Sequence, residues 1–240
     1  MEQSKQAMTD ARTRILERIR SSLQTNRSML EAQAAQFPPP HPHGPFVATD
    51  LDLIEQFRTE LSGLHAHVHV CDGVGMALEV VCDLLDQAGV REVLTWAPEH
   101  LPLPDLLPTL AAAGITSVDG QVLGAAREAQ YAALDPIAAC ISGVDAAIAE
   151  SGTMLLVSGA GRGRLASLLP PLHLALLPAD NIVRTLPDAL DLLRGQFGAS
   201  LFQDRSNLTM ITGPSRTADI ELSLTLGVHG PRDVHAIVIQ

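Results

Sequence analysis

Lysine is almost missing from this sequence. Among the 240 residues there are 16 lysines and arginines, and a single one of them, Lys5, is lysine. Enzymes that form a Schiff base need a lysine amine in the site, and P-loop nucleotide-binding proteins need a lysine in the phosphate-binding motif. The body of the chain excludes both classes, so any anion must be held by arginine, histidine, hydroxyls or backbone N–H groups.

Cysteine is also scarce. The three cysteines, Cys71, Cys82 and Cys140, lie far apart in the sequence and form no C-x-x-C pair. This spacing matches neither a disulfide framework nor the ligand pattern of an iron–sulfur cluster or a zinc site. It is typical of buried thiols in a reducing compartment.

Long apolar runs are absent. No stretch reaches the roughly 18 apolar residues that mark a membrane-spanning helix. The amino terminus has acidic and polar residues where a signal peptide would have its apolar segment. Together with the cysteine usage, this predicts a cytoplasmic protein with no membrane span.

Two further features that would indicate nucleotide or nucleic-acid binding are missing. The formal charge is −11, whereas nucleic-acid binding needs a basic face. The segment CDGVGMALE, which follows the first predicted strand, has Gly73 and Gly75 but no complete G-x-G-x-x-G fingerprint. We therefore expect no nucleic-acid partner and no cofactor.

The chain begins with a candidate helical arm, predicted over residues 1–36. In the segment 9–23 the apolar residues recur at helical spacing, and a weaker helical piece follows over 28–36. A proline-rich linker is predicted over 37–49, because FPPPHPHGP fits neither a helix nor a paired strand. The apolar stripe of the arm must be buried on its own domain, on a second copy in a homo-oligomer, or on a partner subunit.

Residues 50–240 alternate between helical and strand patterns. Such alternation predicts an α/β domain with an open, mostly parallel sheet flanked by helices. The 46% hydrophobic and 3% aromatic content predicts an aliphatic core. Segment 144–149 is predicted as a helical turn. The predicted strands cover 64–70, 92–96, 115–118, 136–142, 154–158, 172–177, 208–212 and 234–239, all in one sheet.

The segment LHAHVHV places three histidines on one face of a predicted strand. His65, His67 and His69 alternate with apolar residues, as expected for a half-buried strand with one polar face. Three imidazoles could hold zinc, but no carboxylate adjoins them in the sequence to orient the rings. We therefore favour a structural role for these histidines and predict no metal.

Glu150 is the leading candidate for a catalytic residue. It precedes Ser151-Gly152-Thr153, immediately before a strongly apolar strand. A carboxylate beside a glycine at the edge of a sheet can approach a ligand closely, as a base, a nucleophile or an anchor. The alternative is that Glu150 caps local backbone or pairs with an arginine. Gly152 and Thr153 are predicted to contact the ligand with it.

The next strand is followed by SGAGRGR, a glycine- and arginine-rich segment over 158–164. Such a segment can form a loop that binds phosphate or carboxylate, or it can be a surface turn. Arg164 is the stronger of its two arginines as a candidate, because it adjoins the ordered segment LASLLP. His173, after two prolines, is a further candidate for ligand binding.

The carboxyl-terminal segment 207–240 has the densest concentration of candidate residues. After GPS, a short helical turn capped by Ser215 is predicted to place free N–H groups beside a guanidinium, which favours an anion. A second glycine loop, GVHGP, follows. Both loops, with those of Glu150 and Arg164, are expected to converge at the carboxyl ends of the sheet strands. The predicted binding residues here are Ser215, Arg216, Thr217, Asp219, Gly227, His229 and Gly230.

Three motifs in this order resemble those of one family. They are GVDAAIAESGT, SLLPPLHLALLP and ITGPSRTADIE with GVHGP and a final apolar strand. In order and spacing they are similar to the LUD domain family of the lactate utilisation protein C type. The resemblance runs from about residue 142 to the carboxyl terminus. It implies a fold similar to the group of sugar-phosphate isomerases, CoA-transferases and formyltetrahydrofolate cyclo-ligases.

The resemblance also implies a function. Type C proteins belong to a bacterial system that oxidises L-lactate to pyruvate, in which iron–sulfur clusters are expected on partner subunits. The chain would then be a non-redox component with a site for a small anionic ligand. The alternative is an independent enzyme acting on a phosphate, a CoA ester or a folate, with Glu150 as base or nucleophile. The latter idea is an analogy at the level of the fold.

Overall fold

The computed structural model describes residues 2–34, 51–122, 127–198, 205, 207–218 and 224–240. The chain forms two compact units, Met1–Ala48 and Thr49–Gln240. The linker predicted over 37–49 lies outside the described residues. Among the described helices, none has both the length and the apolar character needed to cross a membrane.

The first unit contains one long helix, α1 (Glu2–Ala34). The prediction of two separate helical pieces is wrong, because the polar segment between them remains helical. There the side chains of Thr25 and Asn26 each donate to a backbone carbonyl four residues earlier, at 2.9 Å. The next residue, Arg27, pairs with Glu31 one turn further along the helix, at 2.9 Å. The predicted apolar stripe of α1 is exposed at Ile15, Leu16, Ile19 and Leu23.

The second unit is built on a six-stranded sheet in which every neighbouring pair is parallel. This confirms the predicted mostly parallel α/β fold. The central strands are buried on both faces, which explains their continuous apolar runs. In spatial order the strands are β1 (His67–Cys71), β12 (Asp233–Ile239), β7 (Leu172–Pro178), β4 (Ala139–Gly143), β2 (Glu92–Thr95) and β3 (Thr116–Asp119). The accompanying helices are α2 (Leu53–Gly63), α3 (Val74–Gln87), α4 (Leu106–Ala112) and α5 (Arg127–Leu134).

A second, mixed sheet shows that the prediction of a single sheet is wrong. It has the spatial order β8 (Ile182–Val183), β5 (Ala146–Ile148), β6 (Thr153–Ser158) and β9 (Asn207–Ile211). Strand β6 is antiparallel to both of its neighbours, β5 and β9. Helix α6 (Leu186–Phe197) packs against this sheet around a small apolar core that includes Leu155 and Leu193. A capping box between Thr185 and Asp188 begins that helix.

Two short segments predicted as helical turns are strands instead. Segment 144–149 contains β5, which pairs with β6 and β8. The segment from Ser215 to Asp219 contains β10 (Arg216–Ala218), which pairs antiparallel with β11 (Leu224–Leu226). In both cases the segment is too short to form a stable helix alone, and a partner strand satisfies its backbone groups.

Candidate functional site

The two glycine loops of the carboxyl-terminal segment interlock through the backbone of Ser215. Its N–H donates to the carbonyl of Pro231 at 2.8 Å, and its carbonyl accepts from the N–H of Gly227 at 2.9 Å. Gly230 approaches so closely that a Cβ there would lie 3.4 Å from that of Ser215. The two loops therefore form one surface.

This surface lies at the amino-terminal edge of the six-stranded sheet. Pro231 stands two residues before β12, and the N–H of Arg232 donates to the carbonyl of Pro171, which directly precedes β7. Gly213 packs on Leu64, which leads into β1. The expectation that these loops lie at the carboxyl ends of the strands is therefore wrong. The reason is that neither loop follows a strand of this sheet: β9, which leads into the first loop, belongs to the second sheet, and β11, which leads into the second loop, pairs with β10.

Arg216 is the cationic side chain nearest to the turn between β9 and β10. It begins β10 and is exposed, and its Nη2 atom lies 3.8 Å from where a Cβ on Gly213 would stand. Within the described part of the chain, no carboxylate forms an ion pair with it.

Thr217 is half-buried on the same strand and His229 is exposed on the second loop. Asp219 lies outside the described residues. Because Arg216–Ala218 is a strand, Ser215 caps no helix here.

The Glu150 turn joins this same edge. It connects β5 to β6, and the Glu150 side chain is exposed and makes no hydrogen bond within the described residues. Thr212 directly follows β9. Its hydroxyl lies 2.9 Å from that of Thr153, which in turn lies 2.8 Å from that of Ser151. Because Thr212 precedes Gly213 directly, this chain of hydroxyls links the two turns.

Gly152 has a packing role within the Glu150 turn. Its φ is +61°, and a Cβ at this position would stand 2.5 Å from the backbone nitrogen of Leu61. The turn therefore rests directly on the backbone of α2, which a side chain would prevent. This contact holds Glu150 next to the segment that leads into β1.

Arg164 lies at the opposite edge of the sheet. The loop that precedes it is held there because Ala97, just after β2, donates its N–H to the carbonyl of Gly161 at 2.7 Å. The indole of Trp96 donates to the carbonyl of Gly163 at 3.2 Å. Of the four loops expected to converge, three meet at the amino-terminal edge, and the Arg164 loop does not. Arg164 lines a cleft of about 680 Å³ with Gly120, Gln121, Val122, Tyr131, Gly159, Ala160, Arg162, Gly163, Leu165 and Leu168.

A buried ion pair that was not predicted from the sequence anchors the Arg164 loop. The guanidinium of Arg162 lies 2.6 Å from Asp145, whose other oxygen accepts the N–H of Val157 at 2.7 Å. Burial raises the pKa of Asp145, and the nearby Arg162 charge opposes that rise. Arg162 also lies over the rings of Trp96 and Phe197, each about 5.1 Å away. Asp145 lies within the motif GVDAAIAESGT, but nothing local in the sequence indicates its partner.

His173 is buried within the six-stranded sheet. It is the second residue of β7 and has 0% exposure, and its Nε2 lies 2.8 Å from the hydroxyl of Ser142 on β4. Its Nδ1 atom has no partner among the described residues. Burial lowers its pKa from 6.5 to about 4. This position offers no surface to a ligand and favours a structural role over the predicted binding role.

The buried His173 makes stability depend on pH. Its folded pKa is lowered, so its stabilising contribution is present above pH 6.5 and is lost as the pH falls toward 4. In His173→Gln, we expect the loss of unfolding free energy between pH 7 and pH 5 to shrink by about 2 kcal/mol relative to wild type. Urea unfolding at both pH values measures this difference. His229→Gln, at an exposed site, should keep the wild-type dependence, and an unchanged dependence in His173→Gln would contradict the assignment.

Histidines of β1 and β12 form a cluster at the amino-terminal edge. His67 stands opposite His235 in the strand register, with ring centroids 4.6 Å apart, and the rings of His69 and His235 lie 5.2 Å apart. Asp233 Oδ1 lies 3.1 Å from His235 Nε2 and 3.6 Å from His67 Nε2. Burial lowers the pKa of His69, and it lowers that of His235 to about 4.

Half of this cluster was not predicted from the sequence. No carboxylate adjoins the histidines of β1 in the sequence, whereas the structure places Asp233 beside them, on a strand from the far end of the chain. His69 and His235 are separated by 166 residues. His65 lies outside β1, with a left-handed backbone (φ 69°), and is exposed. The sequence does contain a local signal, since Asp233 and His235 alternate with Val234 in β12. This pattern indicates a shared site only once β12 is known to pair with β1.

Comparisons with known proteins agree on one family. Residues 54–239 match the LUD domain. The chain is 32% identical over 189 residues to lactate utilization protein C of Shouchella clausii, covering 79% of this chain and 80% of that protein. It is 30% identical over 205 residues to the protein of the same name from Deinococcus radiodurans, covering 84% and 85%. The fold is similar to the crystal structure of a DUF162 family protein from D. radiodurans (TM-score 0.57, 24% identity), covering 78% of this chain and 96% of that one.

Proposed function

Because this chain belongs to the LUD domain family, we propose that it is a non-redox component of a bacterial L-lactate utilisation system. In this proposal it acts with iron–sulfur partner subunits, which carry the electrons as lactate is oxidised to pyruvate. Its own contribution is to bind a small anion at the amino-terminal edge of the sheet. The names of its relatives support the pathway, and the geometry of the edge supports the site.

The positions of the three cysteines support a non-redox role. Cys71 ends β1 and Cys140 lies in β4, and two other strands separate β1 from β4. At the usual spacing of strands this is about 14 Å, too far for two thiolates to share one cluster. Burial raises the pKa of each of the three thiols, which disfavours the thiolate form that binds iron.

The observation that carries the anion site is the exposed Arg216 beside two interlocked glycine loops. A guanidinium forms charge-assisted, bidentate hydrogen bonds with a carboxylate or phosphate. Ser215 is half-buried and His229 is exposed on these two loops. A small hydroxy acid such as lactate has a carboxylate for the arginine and a hydroxyl for these groups.

The exposed stripe of α1 supports a docking role. Ile15, Ile19 and Leu23 each expose half or more of their surface. A regular apolar stripe on a long helix gains stability when another surface covers it. We propose that this helix docks on a partner subunit of the lactate system or on a second copy of this chain.

One observation favours the alternative of an independent enzyme. Glu150 is exposed, and the hydroxyls of Thr153 and Thr212 link its turn to the segment that leads to Arg216. An arginine that binds an anion and a free carboxylate that acts as base or nucleophile would suffice for chemistry on a phosphate, a CoA ester or a folate. That enzyme would work without partner subunits.

Arg216→Ala tests the proposed anion site. We expect the full chain to bind L-lactate or pyruvate, and the variant to bind about 10- to 100-fold more weakly, because a charge-assisted hydrogen bond is lost. Isothermal titration calorimetry measures this change. Arg194→Ala is the matched control, since Arg194 is an exposed arginine on α6 that is paired with Asp191.

Activity assays, together with the binding measurements, separate the two functions. Pyruvate formation from L-lactate that requires the iron–sulfur subunits, and falls in Arg216→Ala, supports the proposed component. Binding of CoA, folate or a sugar phosphate instead, with turnover by the isolated chain that Glu150→Gln abolishes, would favour the enzyme. If Arg194→Ala weakens binding as much as Arg216→Ala does, the site is elsewhere.

A further inference from the structure

The cluster of three histidines and one aspartate on β1 and β12 has the composition of a metal site. Side chains alternate along a strand, so Asp233 and His235 share one face of β12. The register pairs His67 with His235, which puts His67 and His69 on the same face of the neighbouring strand. The ligand atoms of His67, Asp233 and His235 all lie within 4.8 Å of one another.

The distances fit one small cation. In a tetrahedral zinc site each Zn–N or Zn–O bond is about 2.0–2.2 Å long, so two ligand atoms lie about 3.3–3.6 Å apart. The distances to Asp233 Oδ1 are 3.1 Å from His235 Nε2, just below this range, and 3.6 Å from His67 Nε2, at its upper end. Small side-chain rotations would complete the geometry, and the strand register would not change.

A fourth residue orients one of the ligands. The Nε2 atom of His69 lies 2.9 Å from the Nδ1 atom of His235. When His235 Nδ1 donates its proton in this hydrogen bond, its Nε2 lone pair points toward Asp233 and is free to bind a metal. Histidines that bind metals usually hold their second ring nitrogen in such a hydrogen bond, which fixes the tautomer and the ring.

We propose that His67, Asp233 and His235 form a binding site for a divalent cation of the zinc class, with His69 as the positioning residue. Two imidazoles favour zinc or a similar transition metal over magnesium or calcium, which prefer oxygen ligands. The side chains of His67 and Asp233 are 61% and 47% exposed, so the fourth position of a tetrahedral ion is open to solvent. This site does not depend on the proposed function of the chain.

The open position leaves room for an exchangeable ligand on the bound cation. Three protein ligands with one exchangeable position are the arrangement of catalytic zinc sites, in which water or a substrate oxygen completes the shell. Asp233 stands two residues after Pro231, whose carbonyl accepts the N–H of Ser215. The bound cation would therefore lie along the same edge as the glycine loops and could take an oxygen of an anionic ligand.

Metal titration of the full chain tests this proposal. We expect the chelator-treated wild-type protein to bind one equivalent of Zn²⁺ in calorimetry, and one equivalent of Co²⁺ with the visible absorption of a tetrahedral ion. Asp233→Asn and His67→Gln, both at exposed positions, should each weaken the affinity at least tenfold. His69→Gln should weaken it by about 10- to 100-fold, the usual effect of losing an orienting partner.

A control variant keeps the test decisive. His65→Asn removes an exposed histidine outside the cluster, and asparagine tolerates the left-handed backbone of this residue. The variant should bind Zn²⁺ like the wild type. Equal weakening in this control, no difference between Asp233→Asn and wild type, or the near-ultraviolet absorption of Co²⁺–thiolate bonds would each overturn the proposal.

Discussion

Asp145→Asn is expected to lower the free energy of unfolding by about 3–5 kcal/mol, because it leaves the Arg162 charge without its partner in a buried position. The side chains of Arg162 and Asp145 are only 12% and 8% exposed, and their charged atoms lie 2.6 Å apart. An arginine cannot lose its proton to escape the cost of burial. The expected loss is visible in urea unfolding at pH 7.

The reciprocal variant, Arg162→Met, should cost less. Burial already raises the pKa of Asp145, so without Arg162 this carboxyl can take up a proton and become neutral. The double variant should cost about 1–3 kcal/mol less than the sum of the two single variants, because the two groups interact directly.

An exposed ion pair provides the control. Arg194 and Asp191 lie 2.7 Å apart on the surface of α6, with side chains that are 57% and 75% exposed. Asp191→Asn should change the unfolding free energy by about 0.5 kcal/mol or less, because water screens such pairs. If Asp145→Asn changes the unfolding free energy as little as this control does, the ion pair between Asp145 and Arg162 in the Arg164 loop does not stabilise the fold.

Gly152→Ala is the second change with a large expected effect, about 4 kcal/mol or more of unfolding free energy. Two costs add. The left-handed backbone at φ +61° costs a non-glycine residue about 1–2 kcal/mol. The new Cβ would also stand 2.5 Å from the nitrogen and 2.8 Å from the Cα of Leu61, and backbone atoms of α2 cannot move aside as a flexible side chain would.

Gly114→Ala separates these two costs. Gly114 has a similar φ of +73°, but a Cβ there would meet no atom within 4 Å. It should therefore show the backbone strain alone, about 1–2 kcal/mol. For a unit of this size 1 kcal/mol corresponds to roughly 2–4 °C in Tm, so the two variants are readily distinguished in a thermal scan. Equal effects of the two substitutions would mean that the Glu150 turn does not rest on α2 as described.

Elements whose apolar pattern is long and regular were predicted within a few residues. Strands β2, β7 and β12 are examples, because each buries a continuous or periodic apolar set. The segments predicted as helical turns that proved to be strands are short. β5 and β10 have three residues each, and they become strands through pairing with segments that the local pattern does not identify.

The candidate site was predicted in part. The residues of the glycine loops and of the Glu150 turn were identified from their chemistry, and the structure brings the two together through Thr153 and Thr212. The prediction that these loops lie at the carboxyl ends of the strands was wrong, since they lie at the amino-terminal edge. Arg164 was expected to join them but lies at the opposite edge of the sheet. His173 was a candidate because of its place in a motif, but motif membership does not distinguish a ligand contact from a buried hydrogen bond to Ser142.

The sequence by itself determined the composition of the core, the alternation of helices and strands, and the family, because these follow from local periodicity and motif spacing. The tertiary structure alone decided which distant side chains meet. The pairing of β1 with β12 brings Asp233 and His235 to His67, and the folding back of the glycine-rich loop brings Arg162 to Asp145. Strand order and register depend on the burial of whole faces, and no local pattern contains that information.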